Sequence, residues 1–263
     1  MKVLNQWAVV TGASRGLGYA YCQELLNKGY HVLGVSRSAQ NILALQKNYP
    51  ELRVRACDLD LSNIENVYKL YDLTKELNVT LLINNAGYGV LGKFAESSLD
   101  SELNMLTLNI DALHILTKLF TQRFLRYNFG RVINIASLAA FTPGPGFSSY
   151  YASKAYVLRL STAINYELNR EKTKVRVVSI CPGPLKTGFF DRAKDSSIPL
   201  PYVSGFPSIA VDLYARKSLD KALKVKRKNY ILLGFWNRVM RGVIAIIPKS
   251  WSLRLLYKFQ ITR

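Results

Sequence analysis

Seven short apolar runs, separated by longer stretches of helical periodicity, restrict this chain more than any other feature. The runs are Trp7–Thr11, Tyr30–Val35, Arg53–Ala56, Thr80–Asn84, Arg131–Ala136, Val175–Cys181 and a weaker one at Tyr230–Leu233. A strand that is apolar at successive rather than alternate positions is covered on both faces, as in a parallel sheet. Between the runs lie Gly16–Lys28, Gln40–Asn48, Asn63–Leu77, Ser101–Tyr127, Tyr151–Glu171 and Val211–Leu223, which read as crossover helices. No linker or repeat divides the 263 residues, so the spacing predicts one α/β domain with a doubly wound parallel sheet. Two stretches interrupt the rhythm. Thr142 to Gly146 is a loop by its prolines and glycines. Residues 188–210 mix aromatics with Pro199, Pro201 and Pro207, the length and composition of a functional lid.

The first run leads straight into Thr11-Gly12-Ala13-Ser14-Arg15-Gly16-Leu17-Gly18, which opens the first helix. Glycines at such a strand-to-helix turn let the backbone approach a pyrophosphate closely. The helix start adds unpaired N–H groups and a positive dipole end. A glycine string alone is weak, but strand before and helix after make it the phosphate cradle of a Rossmann-type fold. An NAD site places an acid at the end of the second strand, for the ribose 2′-hydroxyl. Here that strand runs into Ser36 and Arg37 with no acid. Arg37 and Arg15 would pair with a 2′-phosphate through charge-assisted bonds, which favours NADP(H); the alternative is that both are solvated surface.

Tyr150 and Lys154 stand four residues apart and so share a helix face. A tyrosine acid has an unperturbed pKa of about 10, and a neighbouring ammonium brings its proton transfer nearer neutral pH. Ser137, at the end of the fifth strand, offers a hydroxyl to a substrate carbonyl. Tyr-x-x-x-Lys alone is commonplace surface packing; behind a strand-end serine and a glycine cradle it is far more specific. Tyr151 would replace Tyr150 only if the register slipped by one.

Together, residues 11–18, Asn84-Asn85-Ala86-Gly87, Asn109, Ser137, Tyr150-x-x-x-Lys154 and the segment Cys181 to Thr187 closely resemble the short-chain dehydrogenase/reductase family, over the chain to about Gly234. The resemblance implies a domain over residues 1–234 and an oxidoreductase moving hydride between NADP(H) and a carbonyl or secondary alcohol. It implies Asp58 and Leu59 bordering the adenine, Asn85, Ala86 and Gly87 lining the cofactor cleft, and Pro182, Gly183 and Thr187 at the nicotinamide end. Ser137 would polarise the substrate, Tyr150 protonate it, Lys154 hold the ribose, and Asn109 a relay water. A homodimer or homotetramer, paired through Ser101–Tyr127 and Tyr151–Glu171, is also implied. The rival is a non-catalytic NADP(H)-binding scaffold whose tail docks a partner.

That tail, residues 235–263, is a separate problem. The chain carries 36 Lys and Arg against 17 acids, and eleven of the cations with no acid lie between Lys221 and Arg263. Aromatic and aliphatic residues alternate there with cations at roughly helical spacing, which resembles the extension of the subgroup called DltE-like. Three readings stay open: a basic amphipathic helical extension over the cleft or a subunit interface, a peripheral contact with an anionic membrane, and nucleic-acid binding. No nucleic-acid motif supports the third. If the second holds, a hydrophobic ketone or acyl-type substrate follows, with Phe189, Phe190, Tyr202 and Phe206 of the lid as candidate lining. The longest apolar stretch of the tail is broken by Arg238, Arg241 and Pro248, short of the ~20 residues that span a bilayer. The N-terminus lacks the pattern of a signal peptide. Cys22, Cys57 and Cys181, with His31 and His114, show no metal-ligand spacing, so no metal is expected, and free thiols suit the cytoplasm.

Overall fold

The computed structural model describes residues 5–185 and 209–260. Seven parallel strands form one sheet: β1 (Trp7–Thr11), β2 (His31–Ser36), β3 (Val54–Asp58), β4 (Val79–Asn84), β5 (Arg131–Ile135), β6 (Arg176–Ile180) and β7 (Tyr230–Ile231). Their order is β3-β2-β1-β4-β5-β6-β7, so the winding reverses between β1 and β4 and a crevice opens above their carboxyl ends. This is the expected doubly wound Rossmann-type sheet.

Side chains of successive strand residues go to opposite faces. Ala8 and Val10 enter one core with Leu81 and Ile83, while Trp7 and Val9 enter the other with Val79 and Leu82. The first core is closed by α1 (Gly16–Asn27), a 3-10 helix at Gln40–Asn48 and α6 (Val211–Lys224). The Tyr21 and Ser218 hydroxyls, 2.9 Å apart, tie α1 to α6 inside it. The second is closed by α2 (Ile64–Leu73), α4 (Leu113–Arg126) and α5 (Ser148–Arg170), with Phe120 and Phe124 at its centre. Both layers are apolar toward the sheet, which is why the strands read as unbroken runs.

Several boundaries differ from the sequence reading for local reasons. The segment expected as one helix over Ser101–Tyr127 is α3 (Leu99–Leu106), a π-helical turn at Thr107–Ala112 and then α4. Helix α3 starts two residues early because the Ser98 hydroxyl accepts the Ser101 N–H. Helix α2 stops at Leu73, short of Leu77, where the Thr74 hydroxyl turns back on the Tyr71 carbonyl at 2.7 Å. The weak last strand keeps only two residues. The tail forms two helices, α7 (Phe235–Ile246) and α8 (Lys249–Gln260), with Ile247 and Pro248 between them. Among the described residues no helix is long and apolar enough to cross a membrane. Most of the candidate lid, with Thr187, Phe189, Phe190, Tyr202 and Phe206, lies outside the described residues.

Candidate active site

The crevice is a cleft of about 1190 Å³. At one end the glycine turn forms its floor. Gly12 and Gly16 take positive φ values of 66° and 55°, open to glycine at little cost. A Cβ on Gly18 would stand 2.1 Å from the Gly12 carbonyl oxygen, so the helix can sit this close to the strand only with hydrogen there. Gly18 therefore lies behind the cleft wall, whereas Gly12, Ser14, Arg15, Gly16 and Leu17 form it. The residue capping α1 is Arg15, whose side chain makes no cap bond, which leaves the first N–H groups facing the cleft. Such a start is an anion site.

Thr11 and Asn85 stitch the turn to the neighbouring strand. The Thr11 hydroxyl accepts the N–H groups of Asn85 and Ala86, each at 3.0 Å. In return the Asn85 amide donates to the carbonyls of Thr11 at 3.0 Å and Gly12 at 3.2 Å. Asn85, Ala86 and Gly87 reach the wall, but the polar side chain of Asn85 is spent on the cradle itself.

Ser36 and Arg37 border the same end of the cleft with Arg15, and Leu59 to Ser62 close it. Asp60 is the one acid on the described wall, and its carboxylate accepts from the backbone N–H and hydroxyl of Ser62 at 3.0 and 2.7 Å. Asp58 is not on the wall. It accepts from the Ala39 N–H at 2.7 Å and the Gln40 amide at 2.9 Å, and these bonds hold its carboxyl below the usual range. It thereby fixes the bend after β2 that presents Arg37.

Toward the middle, Tyr150 sits in the first turn of α5 and Lys154 one turn on, both buried. The Lys154 ammonium donates to the Ile135 carbonyl at 3.0 Å and lies 5.8 Å from the centre of the Tyr150 ring. The Tyr150 hydroxyl bonds to Ser137, which also caps the 3-10 turn Leu138–Phe141 by accepting the Ala139 N–H at 3.1 Å. Burial drives the Tyr150 phenol well above its ordinary value of 10.0, with the Ser137 bond opposing it. Burial lowers Lys154 to about 8. The neighbouring thiol of Cys181 is pushed up to about 12 by burial and is inert. The cluster thus holds a neutral hydroxyl, a weaker acid than free tyrosine because burial outweighs the lowering expected from the ammonium, beside an amine brought down to about 8.

Asn109 lies behind this cluster, fully buried in the π-helical turn. Its amide donates to the Tyr88 carbonyl at 2.9 Å and the Ser153 hydroxyl at 3.2 Å, and its oxygen accepts the Tyr88 N–H at 3.2 Å. A Cβ on Gly87 would stand 2.7 Å from that oxygen and 3.4 Å from the Lys154 nitrogen, so Gly87 lets the Asn109 amide and the Lys154 amine share one pocket. π-Turns of this kind cluster at functional sites.

The far half of the cleft is apolar. Phe147 packs on Tyr150 with ring centres 4.8 Å apart, and Tyr88, Leu138 and Tyr151 continue the wall. Pro182 and Gly183 line it, and the tail closes it with Met240, Ile244, Leu255 and Leu256. Asn237 anchors α7 by donating to the Leu233 carbonyl at 2.8 Å, and its oxygen lies so near Gly183 that a Cβ there would approach within 2.3 Å. Of the expected residues, sixteen line the cleft together; Gly18, Asp58 and Asn109 support it from behind, and Thr187 is outside the described residues. Sequence reasoning missed Thr11, Ser153, Tyr88 and the four tail residues. Only the helical spacing of Met240 and Ile244 offered a signal. Among the described residues no cluster of His, Cys, Asp and Glu can hold a metal ion.

This arrangement has known counterparts. The chain matches the short chain dehydrogenase family over residues 6–197 and belongs to that family. It is 28% identical over 210 residues to a very-long-chain 3-oxoacyl-CoA reductase of Coccidioides immitis, covering 77% of this chain and 59% of that protein. The chain therefore spans about three-fifths of that relative's length. A probable short-chain type dehydrogenase/reductase, VdlC, of Helicobacter pylori is 28% identical over 260 residues, covering 93% of this chain and 94% of its own. A short-chain dehydrogenase from Sphingobium yanoikuyae, solved in complex with NADPH, superposes with a TM-score of 0.77 at 25% identity, over 93% of this chain and 97% of that one. The family match stops before the tail, so its likeness to the DltE-like subgroup rests on sequence pattern alone.

Proposed function

We propose that this chain is an NADP(H)-dependent reductase of hydrophobic ketones or acyl-type carbonyls. The observation that carries the reading is the Tyr150 hydroxyl, bonded to Ser137 and backed by Lys154, where the glycine cradle meets the apolar half of the cleft. The cradle fits the cofactor, since Gly12 and Gly16 line the cleft at positive φ, with no side chain between the backbone and a bound group, and α1 offers uncapped N–H groups. Arg15 and Arg37, with no acid at the end of β2, suit a 2′-phosphate. The NADPH complex of the Sphingobium protein is consistent with that choice. When bound, the cofactor supplies the hydride.

The chain's own residues do the rest. Ser137 holds the carbonyl oxygen by donating to it, and Tyr150 gives that oxygen its proton. Lys154 stands close enough to stabilise the phenolate left behind, which lowers the cost of the transfer. Asn109 holds the backbone at Tyr88 and the Ser153 hydroxyl, and so positions the turn from which Lys154 is reprotonated through water. The wall of Phe147, Tyr151, Met240 and Ile244 excludes water and selects an apolar substrate. The reverse oxidation uses the same groups. A homo-oligomer paired through the segments Ser101–Tyr127 and Tyr151–Glu171, in the cytoplasm, accompanies this reading.

The test is NADPH oxidation against short and long-chain ketones and aldehydes, with NADH in parallel and Tyr150→Phe as the blank. Tyrosine-dependent turnover that prefers NADPH and rises with chain length is the expected result. Tight NADPH binding without turnover on the whole panel would instead support a non-catalytic scaffold.

A further inference from the structure

The two tail helices are apolar on both sides. Their inner residues line the cleft, yet none of the twelve residues of α7 is buried. The pair carries eight of the nineteen exposed large apolar side chains among the described residues, although it makes up only about a tenth of them. Phe235, Trp236, Ile246, Trp251, Leu255 and Tyr257 are among these, with Ile246 85% and Trp251 67% exposed. Exposed cations, Arg238, Arg241 and Arg254, are interspersed with them, and no acid occurs from Lys221 to the end of the chain. Leu255 is exposed and also lines the cleft, so one apolar side chain is shared between the interior and the outer face.

We propose that α7 and α8 dock on an anionic lipid surface and admit apolar substrate to the cleft from the bilayer. Tryptophan and tyrosine favour the headgroup level, where an apolar ring and a polar edge are both accommodated. Arginines among them find lipid phosphates, and helices of this composition lie in the interface without crossing it. Charge decides against a second copy of the chain as occupant. Face-to-face pairing would set Arg238, Arg241 and Arg254 against their equals with no acid to compensate, in a protein of net charge +19. The exposed aliphatic residues Val243 and Ile246 give no contact to a nucleic-acid backbone but are at home among acyl chains. The delivery half of the proposal rests on the reductase reading; the docking half does not.

The test uses the full chain with phosphatidylcholine vesicles, with and without phosphatidylglycerol, at low and high salt. Of the three tryptophans Trp7 is buried, so a blue shift of emission on adding vesicles reports Trp236 and Trp251. Co-sedimentation and a blue shift with the anionic vesicles, both weakened by salt, are expected. Arg238→Ala with Arg254→Ala should weaken partitioning roughly 30-fold. Trp236→Ser with Trp251→Ser should abolish it while leaving turnover of a water-soluble ketone unchanged and raising KM for a long-chain ketone carried in the vesicles. Vesicle binding by a protein that turns over nothing would uphold the docking surface while the reductase reading falls. Folded, active protein that ignores anionic vesicles overturns the proposal. So does a concentration-dependent dimer dissolved by the tryptophan pair, or an oligonucleotide that binds more tightly than the vesicles.

Discussion

Replacing Lys154 by methionine should make the protein more stable and catalytically dead, and the reason lies in where its ammonium sits. Burial lowers Lys154 from an ordinary 10.5 to about 8. Below pH 8 both the folded and the unfolded chain hold the proton, and the fold bears the full cost of a buried cation. Between 8 and 10.5 the unfolded chain binds more protons than the folded one, so stability rises with pH; above 10.5 the cost is gone. At 1.36 kcal/mol per pKa unit the penalty is about 3 kcal/mol at pH 7 and about 1.5 kcal/mol at pH 9.5. Methionine keeps the length of the stem and removes the charge. It also strands the Ile135 carbonyl, which Lys154 bonds at 3.0 Å, at a cost of about 1 kcal/mol. The net gain at pH 7 is then about 2 kcal/mol, or a rise in Tm of roughly 5 °C for a chain of this size. At pH 9.5 the gain should nearly vanish. Differential scanning calorimetry of both proteins without cofactor, at the two pH values, measures it. A variant no more stable than the parent at pH 7, or a gain that does not shrink with pH, would refute the reasoning.

Three further outcomes follow from neighbouring geometry. Gly18→Ala puts a methyl 2.1 Å from the Gly12 oxygen, so NADPH affinity should fall more than tenfold in a fluorescence titration and stability by about 1–3 kcal/mol. Arg37→Asp supplies the acid that β2 lacks; the ratio of kcat/KM for NADPH over NADH should drop roughly tenfold to a hundredfold, as one charge-assisted bond is exchanged for repulsion. Asn134→Ala removes the partner of Asn84 at 2.9 Å, Thr117 at 3.2 Å and Ser161 at 2.9 Å. Urea unfolding should then show a loss of about 2–4 kcal/mol with the m value unchanged.

The sheet was legible in the sequence because its strands are covered on both faces, and the 3-10 segment Gln40–Asn48 was found with its correct ends though not its type. The cradle, Ser137, Tyr150 and Lys154 were legible for a different reason: each pattern is common alone, but their order along the chain, each placed against a strand end, brings them to one cleft. What stayed hidden has no period. The π-helical turn at Thr107–Ala112 widens a helix without changing its composition, so Ser101–Tyr127 read as one uniform helix. Thr11 looked like the last residue of a strand, and only the geometry shows its hydroxyl accepting two N–H groups across the crevice.

The tail shows why charge alone could not decide between readings. A helix packed on the fold, one lying on a membrane and one bound to nucleic acid can share the same alternation of cations and rings; they differ in which face is covered. In α7 the covering is partial on both sides. Asn237 is pinned to Leu233 and crowded by Gly183, and Met240 and Ile244 face the cleft. Trp236, Val243 and Ile246 stay outside. A helix that only sealed the cleft would have no use for apolar residues on that outer side, where an exposed aliphatic or aromatic side chain gains none of the roughly 1.5–3 kcal/mol that burial would supply. Gly183 makes the distinction measurable. Gly183→Ala drives a methyl within 2.3 Å of the Asn237 oxygen, so the Asn237 side chain must turn away and give up its bond to the Leu233 carbonyl, which loosens the start of α7. KM for a long-chain ketone should then rise severalfold with kcat for a short one held, whereas equal losses for both would mean that α7 merely supports the nicotinamide end of the cleft.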